Sequence, residues 1–213
     1  MGGLGVFVLA CCIALVYSEH ELAERVMGSR RALGAEGSPV ESLEGAYVST
    51  YEIVSTFPHD TNAFTQGLVF DTKGQLYESD GLYRQSAVRT VNPLTGSSDK
   101  KRANEPHHFG EGIAIVGERM LQLTWQEKVV HEFALPDLQH SKTHRLPCAN
   151  GADPVAGHVA CREGWGLAYD GTKLYLTDST DKLFFLDATT LQSVAPPRTI
   201  WDARMNRAVH GVE

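Results

Sequence analysis

The stretch FTQGLVFDTKGQLYESDGLYRQSAVRTVNP, Phe64–Pro93, decides the predicted fold. It contains three short apolar segments, GLVF, LYESD and SAVRTVN, which are separated by residues with turn chemistry such as DTKGQ. Short segments rich in Val, Leu and Tyr, bounded by Gly, Asp and Asn, are typical of β-strands. After residue 47 no apolar period of helical length competes with this pattern. The stretch therefore predicts a run of short strands.

The same pattern occurs twice more along the chain. Its second copy is FGEGIAIVGERMLQLTWQEKVVHEFALP, Phe109–Pro136, and its third is GWGLAYDGTKLYLTDSTDKLFFLDATT, Gly164–Thr190. Aligned on Gly67, Gly112 and Gly166, the copies are 45 and 54 residues apart. A period near 45 residues, with four short strands in each unit, is typical of β-propeller blades. The chain is therefore predicted to be an all-β protein with a β-propeller fold.

The repeat also predicts which side chains meet. In a propeller the innermost strand of each blade lines a central channel, and the residues just before that strand reach the channel mouth. The segments at that position are Phe64–Gln66, Phe109–Glu111 and Gly164–Trp165. An amide, a carboxylate and an indole from three separate units are thus expected to converge on one site.

Composition excludes two broad classes of protein. The chain has 213 residues, of which 42% are hydrophobic, so it can bury a core and is not disordered by composition. Its formal net charge is −7 and it has no long Lys/Arg run. Phosphate contacts supply most nucleic-acid affinity, so no nucleic-acid partner is expected.

The N-terminus has the pattern of a secretory signal peptide. The apolar run Leu4–Tyr17 is too short to span about 30 Å of hydrocarbon comfortably, and cleavage is expected after Ser18. No Lys or Arg precedes the run, which leaves an uncleaved anchor and a buried core helix as alternatives. We predict a signal peptide at 1–18, a polar linker or stem at 19–46 and a partial propeller at 47–213. The expected location is the secretory pathway (secreted, vacuolar or in the ER lumen), without stable membrane association after cleavage.

Four cysteines divide into two pairs. Cys11 and Cys12 fall within the signal peptide and would leave with it. Cys148 and Cys161 remain, and in an oxidising compartment we expect a disulfide between them. They bracket the loop ANGADPVAGHVA, which accounts for the longer second interval of the repeat. A zinc site is the alternative, but with only His158 nearby it lacks a fourth ligand at any usual spacing.

At these residues the chain resembles the plant-type glutaminyl-peptide cyclotransferase family. The motifs that carry the resemblance are PHDTNAFTQGL, LYESDGLYRQSAVR, FGEGIAI, LQLTW, EGWGLAYDG and LYLTDST, in this order over roughly residues 47–190. The resemblance implies a five-bladed propeller. It also implies an acyltransferase that converts the N-terminal glutamine of peptides and proteins to pyroglutamate with release of ammonia. No cofactor and no metal are expected, and His107 and His108 are interpreted as surface or rim residues.

The resemblance also implies roles for individual residues. Glu111, in FGEG, stands where the family has its acid/base, and the alternative is a carboxylate at an exposed start of a strand. Gln66 stands at a substrate hydrogen-bonding position, and the alternative is a hydrogen bond to backbone. Four aromatic residues would form the pocket walls, unless they only pack between blades: Phe64, Phe109, Trp125 and Trp165.

The chain departs from the family near its C-terminus. In the family an asparagine in an NELE-type motif, another tryptophan and a lysine come from the last two blades. The chain stops at AVHGVE, after about three units. We therefore expect a truncated propeller with little or no activity, unless another chain supplies the missing blades.

Two other functions remain open from the residues alone. A metal-dependent, lactonase-like propeller hydrolase would need several Asp, Asn or Glu side chains around one ion, and only Glu111 stands at an equivalent repeat position. A non-enzymatic propeller fragment that binds peptide ends or acts as a scaffold would not need Glu111, Gln66 and Trp125 to share one pocket.

Overall fold

The described part of the chain is built of β-strands. The computed structural model describes residues 55–146, 161–202, 206–209 and 211. Within these ranges no residue belongs to an α-helix, and accordingly none forms a helix that could span a membrane. The predicted signal peptide, the linker and Cys148 lie outside the described residues.

The strands are short, as the sequence predicts. In the described residues they are β1 (Thr65–Phe70), β2 (Leu76–Asp80), β3 (Ala87–Val91), β4 (Lys101–Ala103), β5 (Gly110–Val116), β6 (Arg119–Thr124), β7 (Val129–Ala134), β8 (Gln139–Arg145), β9 (Leu167–Tyr169), β10 (Lys173–Thr177), β11 (Lys182–Asp187), β12 (Ser193–Thr199), β13 (Trp201–Asp202) and β14 (Arg207–Ala208).

These strands form three four-stranded antiparallel sheets in the described part of the chain. The first sheet has the order β1-β2-β3-β4, the second β5-β6-β7-β8 and the third β9-β10-β11-β12, and a two-stranded pair, β13-β14, follows. Consecutive antiparallel strands with short connections are the architecture of a propeller blade. The predicted all-β propeller fold is thus confirmed, and each sheet corresponds to one sequence repeat.

The outermost strand of each sheet has no apolar signal in the sequence. β4 is fully exposed, and β8, QHSKTHR, is polar and mostly exposed. β12 carries Pro196 and Pro197, which are compatible only with an edge strand because proline cannot donate to the ladder. Charged and proline-bearing edges protect a sheet from pairing with another chain. Because these edge strands are polar or contain proline, no apolar pattern in the sequence indicates them.

The glycines that align the repeats mark where neighbouring sheets come closest. A Cβ at Gly67 would lie 2.9 Å from the backbone nitrogen of Ile113, on the next sheet. A Cβ at Gly112 would lie 2.5 Å from the carbonyl oxygen of Trp165, on the sheet after that. Separations below 3.0 Å from backbone atoms cannot be relieved by a side-chain rotation, so both positions require glycine.

The core lies between the sheets in two clusters. One joins the first and second sheets, and its buried members are Tyr77, Val88, Ile113, Met120, Phe133 and Leu138. The other joins the second and third sheets and includes Ala114, Leu121, Leu123, Val130, Cys161, Leu174, Leu176 and Phe184. Because each cluster draws residues from two neighbouring sheets, burial of apolar surface holds successive blades together.

A buried ionic cluster anchors the segment before β1 to the first sheet. Arg89 donates to Glu78 Oε2 from Nη2 at 2.7 Å and from Nε at 2.9 Å, and both side chains are almost fully buried. Arg89 Nη1 also donates to Asp60 Oδ2 at 2.7 Å, and His59 Nε2 lies 2.9 Å from Glu78 Oε1. The PHD triplet before β1 is therefore structural, and it fixes the chain just ahead of Gln66.

Candidate active site

Two strand irregularities at equivalent repeat positions place the amide and the carboxylate. In the β1–β2 pairing, Thr65 faces Asp80 and Gly67 faces Ser79, so Gln66 is an extra residue in the ladder. In the β5–β6 pairing, an extra residue falls between Gly110 and Ile113, the interval that contains Glu111. Such bulges redirect a side chain out of the regular alternation of a strand.

The redirected side chains meet. Gln66 Nε2 donates a hydrogen bond of 2.7 Å to Oε2 of Glu111. Glu111 is only 4% exposed, so the alternative of a carboxylate at an exposed start of a strand is wrong. The Gln66 amide reaches this carboxylate rather than serving only a local backbone group. The first two of the three equivalent repeat positions thus form one polar centre between neighbouring blades.

Aromatic rings line one side of this centre. Phe109 lies two residues before Glu111, and its ring packs edge to face against Phe64 at 6.1 Å and against Trp125 at 5.7 Å between centroids. Phe64 is 47% exposed, so its ring is open to solvent and does not belong to the core. Of the predicted wall residues, the structure brings Phe64, Phe109 and Trp125 into one stack.

Two residues beside this stack were not predicted as part of the site. Tyr83 is 42% exposed, and its ring lies 5.5 Å from that of Phe109. Its hydroxyl donates to Glu127 Oε1 at 2.9 Å, and Glu127 Oε2 accepts the backbone N–H of Phe109 at 3.2 Å. Burial raises the pKa of the Tyr83 phenol, and the negative charges of Glu127 and then Glu111 raise it further.

The third repeat position joins the site through backbone and a second carboxylate. Trp165 accepts the backbone N–H of Gly112 at 2.8 Å through its carbonyl oxygen, and its indole N–H donates to Glu163 Oε1 at 2.8 Å. Ser179 Oγ also donates to Glu163. Burial alone would raise the pKa of Glu163, but these donors outweigh it and lower the pKa. Glu163 is therefore an ionised anchor for Trp165. It stands in the same EGWG motif, but the motif alone predicted no role for it.

A cavity of about 460 Å³ opens next to the aromatic stack. It is lined by Tyr83, Arg84, Pro106, His107 and Glu127. Tyr83 and Glu127 belong both to this cavity and to the surroundings of Phe109. This depression therefore lies beside the aromatic stack and is open to solvent.

The two adjacent histidines near the site differ in environment. His107 is exposed, as expected for a rim residue. His108 is 7% exposed, and its Nδ1 lies 2.9 Å from Nε2 of the buried His131, so its interpretation as a surface or rim residue is wrong. Cys161 is buried in the core between the second and third sheets, while its predicted disulfide partner, Cys148, lies outside the described residues.

The arrangement offers proton transfer in an apolar setting. A buried carboxylate held by a neutral amide donor can exchange a proton with a ligand that enters beside it. The rings on one side offer apolar surface against which a short side chain can pack. The fold and site thus define a β-propeller protein with a buried carboxylate and adjacent aromatic rings at the boundary of its first two described blades.

Comparison with known proteins narrows the class to a family. The glutamine cyclotransferase family model matches residues 27–199, so the chain belongs to the glutamine cyclotransferase family. An Arabidopsis thaliana protein named glutaminyl-peptide cyclotransferase is 35% identical over 145 residues, which are 68% of this chain and 41% of the relative. The crystal structure of Myxococcus xanthus glutaminyl cyclase matches with a TM-score of 0.58 at 31% identity, over 72% of this chain and 57% of that one. The chain thus spans less than two thirds of either relative.

Proposed function

We propose that this chain contributes the acid/base centre of a glutaminyl-peptide cyclotransferase, an enzyme that converts the N-terminal glutamine of peptides or proteins to pyroglutamate. The observation that carries the proposal is the 2.7 Å hydrogen bond between Gln66 and the buried Glu111. Family membership supplies the class of reaction. The position of Glu111 supplies a group that can move the protons this reaction requires.

The proposed reaction closes a ring within the substrate. The α-amine nitrogen of the terminal glutamine forms a bond to the Cδ of its own side-chain amide. The Cδ–N bond of that amide breaks, and the nitrogen leaves as ammonia. Glu111 accepts a proton from the attacking amine and delivers a proton to the leaving nitrogen, so it returns to its starting state. A positioned acid/base of this kind contributes about 10²–10⁴-fold to a rate.

The neighbours of Glu111 have supporting roles in the proposal. Gln66 orients the carboxylate by binding one of its oxygens. Phe64, Phe109 and Trp125 pack against the short substrate side chain and hold it folded onto its own amine, which lowers the entropic cost of ring closure. Trp165 completes the wall from the third blade, and Glu163 holds its indole in place.

The cellular setting remains part of the proposal. The apolar N-terminal run favours entry into the secretory pathway, whose lumen is oxidising. In that compartment we infer that Cys148 and Cys161 form a disulfide. The burial of Cys161 in the core supports a structural role for its sulfur.

The test is ammonia release from a peptide that begins with glutamine. The chain is assayed by itself and as a fusion that carries the remaining blades of the Myxococcus relative. Glu111→Gln should lower turnover by about 10²–10⁴-fold. Glu118→Gln, an exposed carboxylate in the turn after β5, is the matched control and should leave turnover unchanged.

Two results would overturn the proposed function. One is the absence of ammonia release from both the chain and the fusion. The other is equal turnover by wild type and Glu111→Gln in a form that releases ammonia. A peptide that begins with asparagine serves as the substrate control, because closure of its shorter side chain would give a strained four-membered ring.

A further inference from the structure

The loop between β4 and β5 gathers three potential metal ligands. Glu105 Oε2 lies 3.4 Å from His107 Nε2 and 3.7 Å from His108 Nε2. One ligand atom from each of the three residues can be chosen so that all lie within 4.8 Å of one another. The three residues span four positions of sequence, so one short loop supplies the whole set.

These separations are close to those of a bound set. Zinc binds imidazole nitrogen and carboxylate oxygen at about 2.0–2.2 Å in tetrahedral geometry, which places neighbouring ligand atoms about 3.3–3.6 Å apart. Both distances from Glu105 are near that value. The side chains of His107 and Glu105 are 73% and 59% exposed, so they can rotate toward an ion without disturbing the core. His108 is the buried member and sets the position of the site.

A relay behind His108 orients its ring. His108 Nδ1 lies 2.9 Å from His131 Nε2, and His131 Nδ1 lies 3.1 Å from Thr143 Oγ1. Thr143 Oγ1 in turn lies 3.0 Å from His140 Nε2. If His108 donates from Nδ1, every later link donates in the same direction, and the Nε2 lone pair of His108 faces Glu105. Histidine ligands of metals characteristically donate their other ring nitrogen to a carboxylate, a backbone carbonyl or a water, and here the His131 nitrogen takes that place.

We propose that Glu105, His107 and His108 form a site for a divalent transition metal of the zinc class. Two imidazoles and one carboxylate suit such an ion better than magnesium or calcium, which favour oxygen ligands. Three protein ligands leave a fourth position for water or another small ligand. The site is distinct from the Gln66–Glu111 centre and does not depend on the proposed function, although His107 also lines the 460 Å³ cavity.

The test uses the tag-free chain after chelator treatment and dialysis. Titration calorimetry with zinc chloride should show one saturable equivalent. Titration with cobalt(II) should give the intense visible absorption of a tetrahedral site, displaced by zinc. His107→Ala and Glu105→Gln should each weaken zinc binding by at least about 10-fold, and His131→Phe should weaken it by about 10–100-fold, as is usual for loss of an outer partner.

The matched control is His144→Gln. His144 lies on β8, and its Nε2 lies 2.8 Å from Glu132 Oε2. The substitution therefore removes a histidine without touching the proposed ligands. It should bind zinc as the wild type does. Thermal melts in chelator establish that each variant is folded, and exposed His107 is the variant least able to disturb the fold. The proposal is wrong if no saturable zinc equivalent appears, or if folded His107→Ala binds zinc as tightly as His144→Gln.

Discussion

Gln66 on β1 and Glu111 on β5 are 45 residues apart and joined by a 2.7 Å hydrogen bond from Nε2 to Oε2. Each residue falls in a bulge of its strand, at the same position of consecutive repeats. A regular strand would have alternated these side chains between the faces of their sheets. The bulge in each repeat turns the side chains of Gln66 and Glu111 toward the boundary between the first and second sheets. The two side chains meet there because of this irregularity.

Replacing the Gln66 amide should test whether this side chain orients the Glu111 carboxylate. Gln66→Met keeps the length of the side chain but removes the donor to Glu111. A hydrogen bond to a charged group contributes about 1.5–3 kcal/mol, so we expect kcat for ammonia release to fall by about 10–100-fold. The melting temperature should fall as well, because the buried Glu111 loses a donor, so kcat is compared at a temperature at which both variants are folded. Gln139→Met, on the exposed strand β8, is the control, and an equal kcat for both variants would contradict an orienting role.

The repeat glycines should be intolerant of any side chain. In Gly112→Ala the new methyl group would meet the Trp165 carbonyl oxygen at 2.5 Å, and backbone must move to admit it. We expect a loss of at least about 1–3 kcal/mol in the free energy of unfolding, measured by urea denaturation. Gly117→Ala is the control, because its Cβ would meet nothing within 4 Å and its cost comes only from a φ of 62°. A smaller loss for Gly112→Ala than for Gly117→Ala would refute the close approach.

Removing one partner of the buried ionic cluster should lower the free energy of unfolding strongly. Arg89→Met removes both donors to Glu78 and leaves that carboxylate buried without its main counter-charge. Breaking a buried pair in this way costs about 3–5 kcal/mol of unfolding free energy. Arg102→Met, on the exposed strand β4, should change it by no more than about 0.5 kcal/mol. Equal urea midpoints for the two variants would show that the cluster does not stabilise the first sheet.

Glu163 should make stability depend on pH in the acid range. Its pKa is lowered in the folded protein from an ordinary value of 4.5, since the Ser179 and Trp165 donors outweigh its burial. Its ionised form therefore stabilises the fold above about pH 4.5, and this contribution is lost as pH falls through the folded pKa. The Glu163→Gln variant lacks this contribution, so its free energy of unfolding should be lower than that of wild type. The difference between the two should shrink as the pH falls.

Urea unfolding at a series of pH values between about 6 and 3 measures this deficit. Glu118→Gln provides the control, since its exposed side chain should give no pH-dependent difference from wild type. A Glu163→Gln deficit that stays constant or grows toward acid would show that the carboxylate is not held ionised by its donors.

The sequence predicted the propeller because its inner strands are apolar and separated by turn residues, and because Gly67, Gly112 and Gly166 repeat. The outer strands β4 and β8 escaped prediction because an exposed edge imposes no apolar pattern. Within the site, Glu111 was reached through its motif and its repeat position. Tyr83 and Glu163 were missed as site residues because their importance comes from the side chains they contact.

The repeating unit and the family follow from the sequence alone, since strand patterning, turns and motifs are local and lie in order along the chain. The structure was needed to show that Gln66 binds Glu111, that His108 is buried against His131 and that Glu163 holds Trp165. The first two pairs join residues far apart in the chain, and the third lies in one loop that is hydrogen-bonded to Ser179 and Thr177. Their distances depend on bulges and on the packing of whole sheets, which no pattern of neighbouring residues specifies.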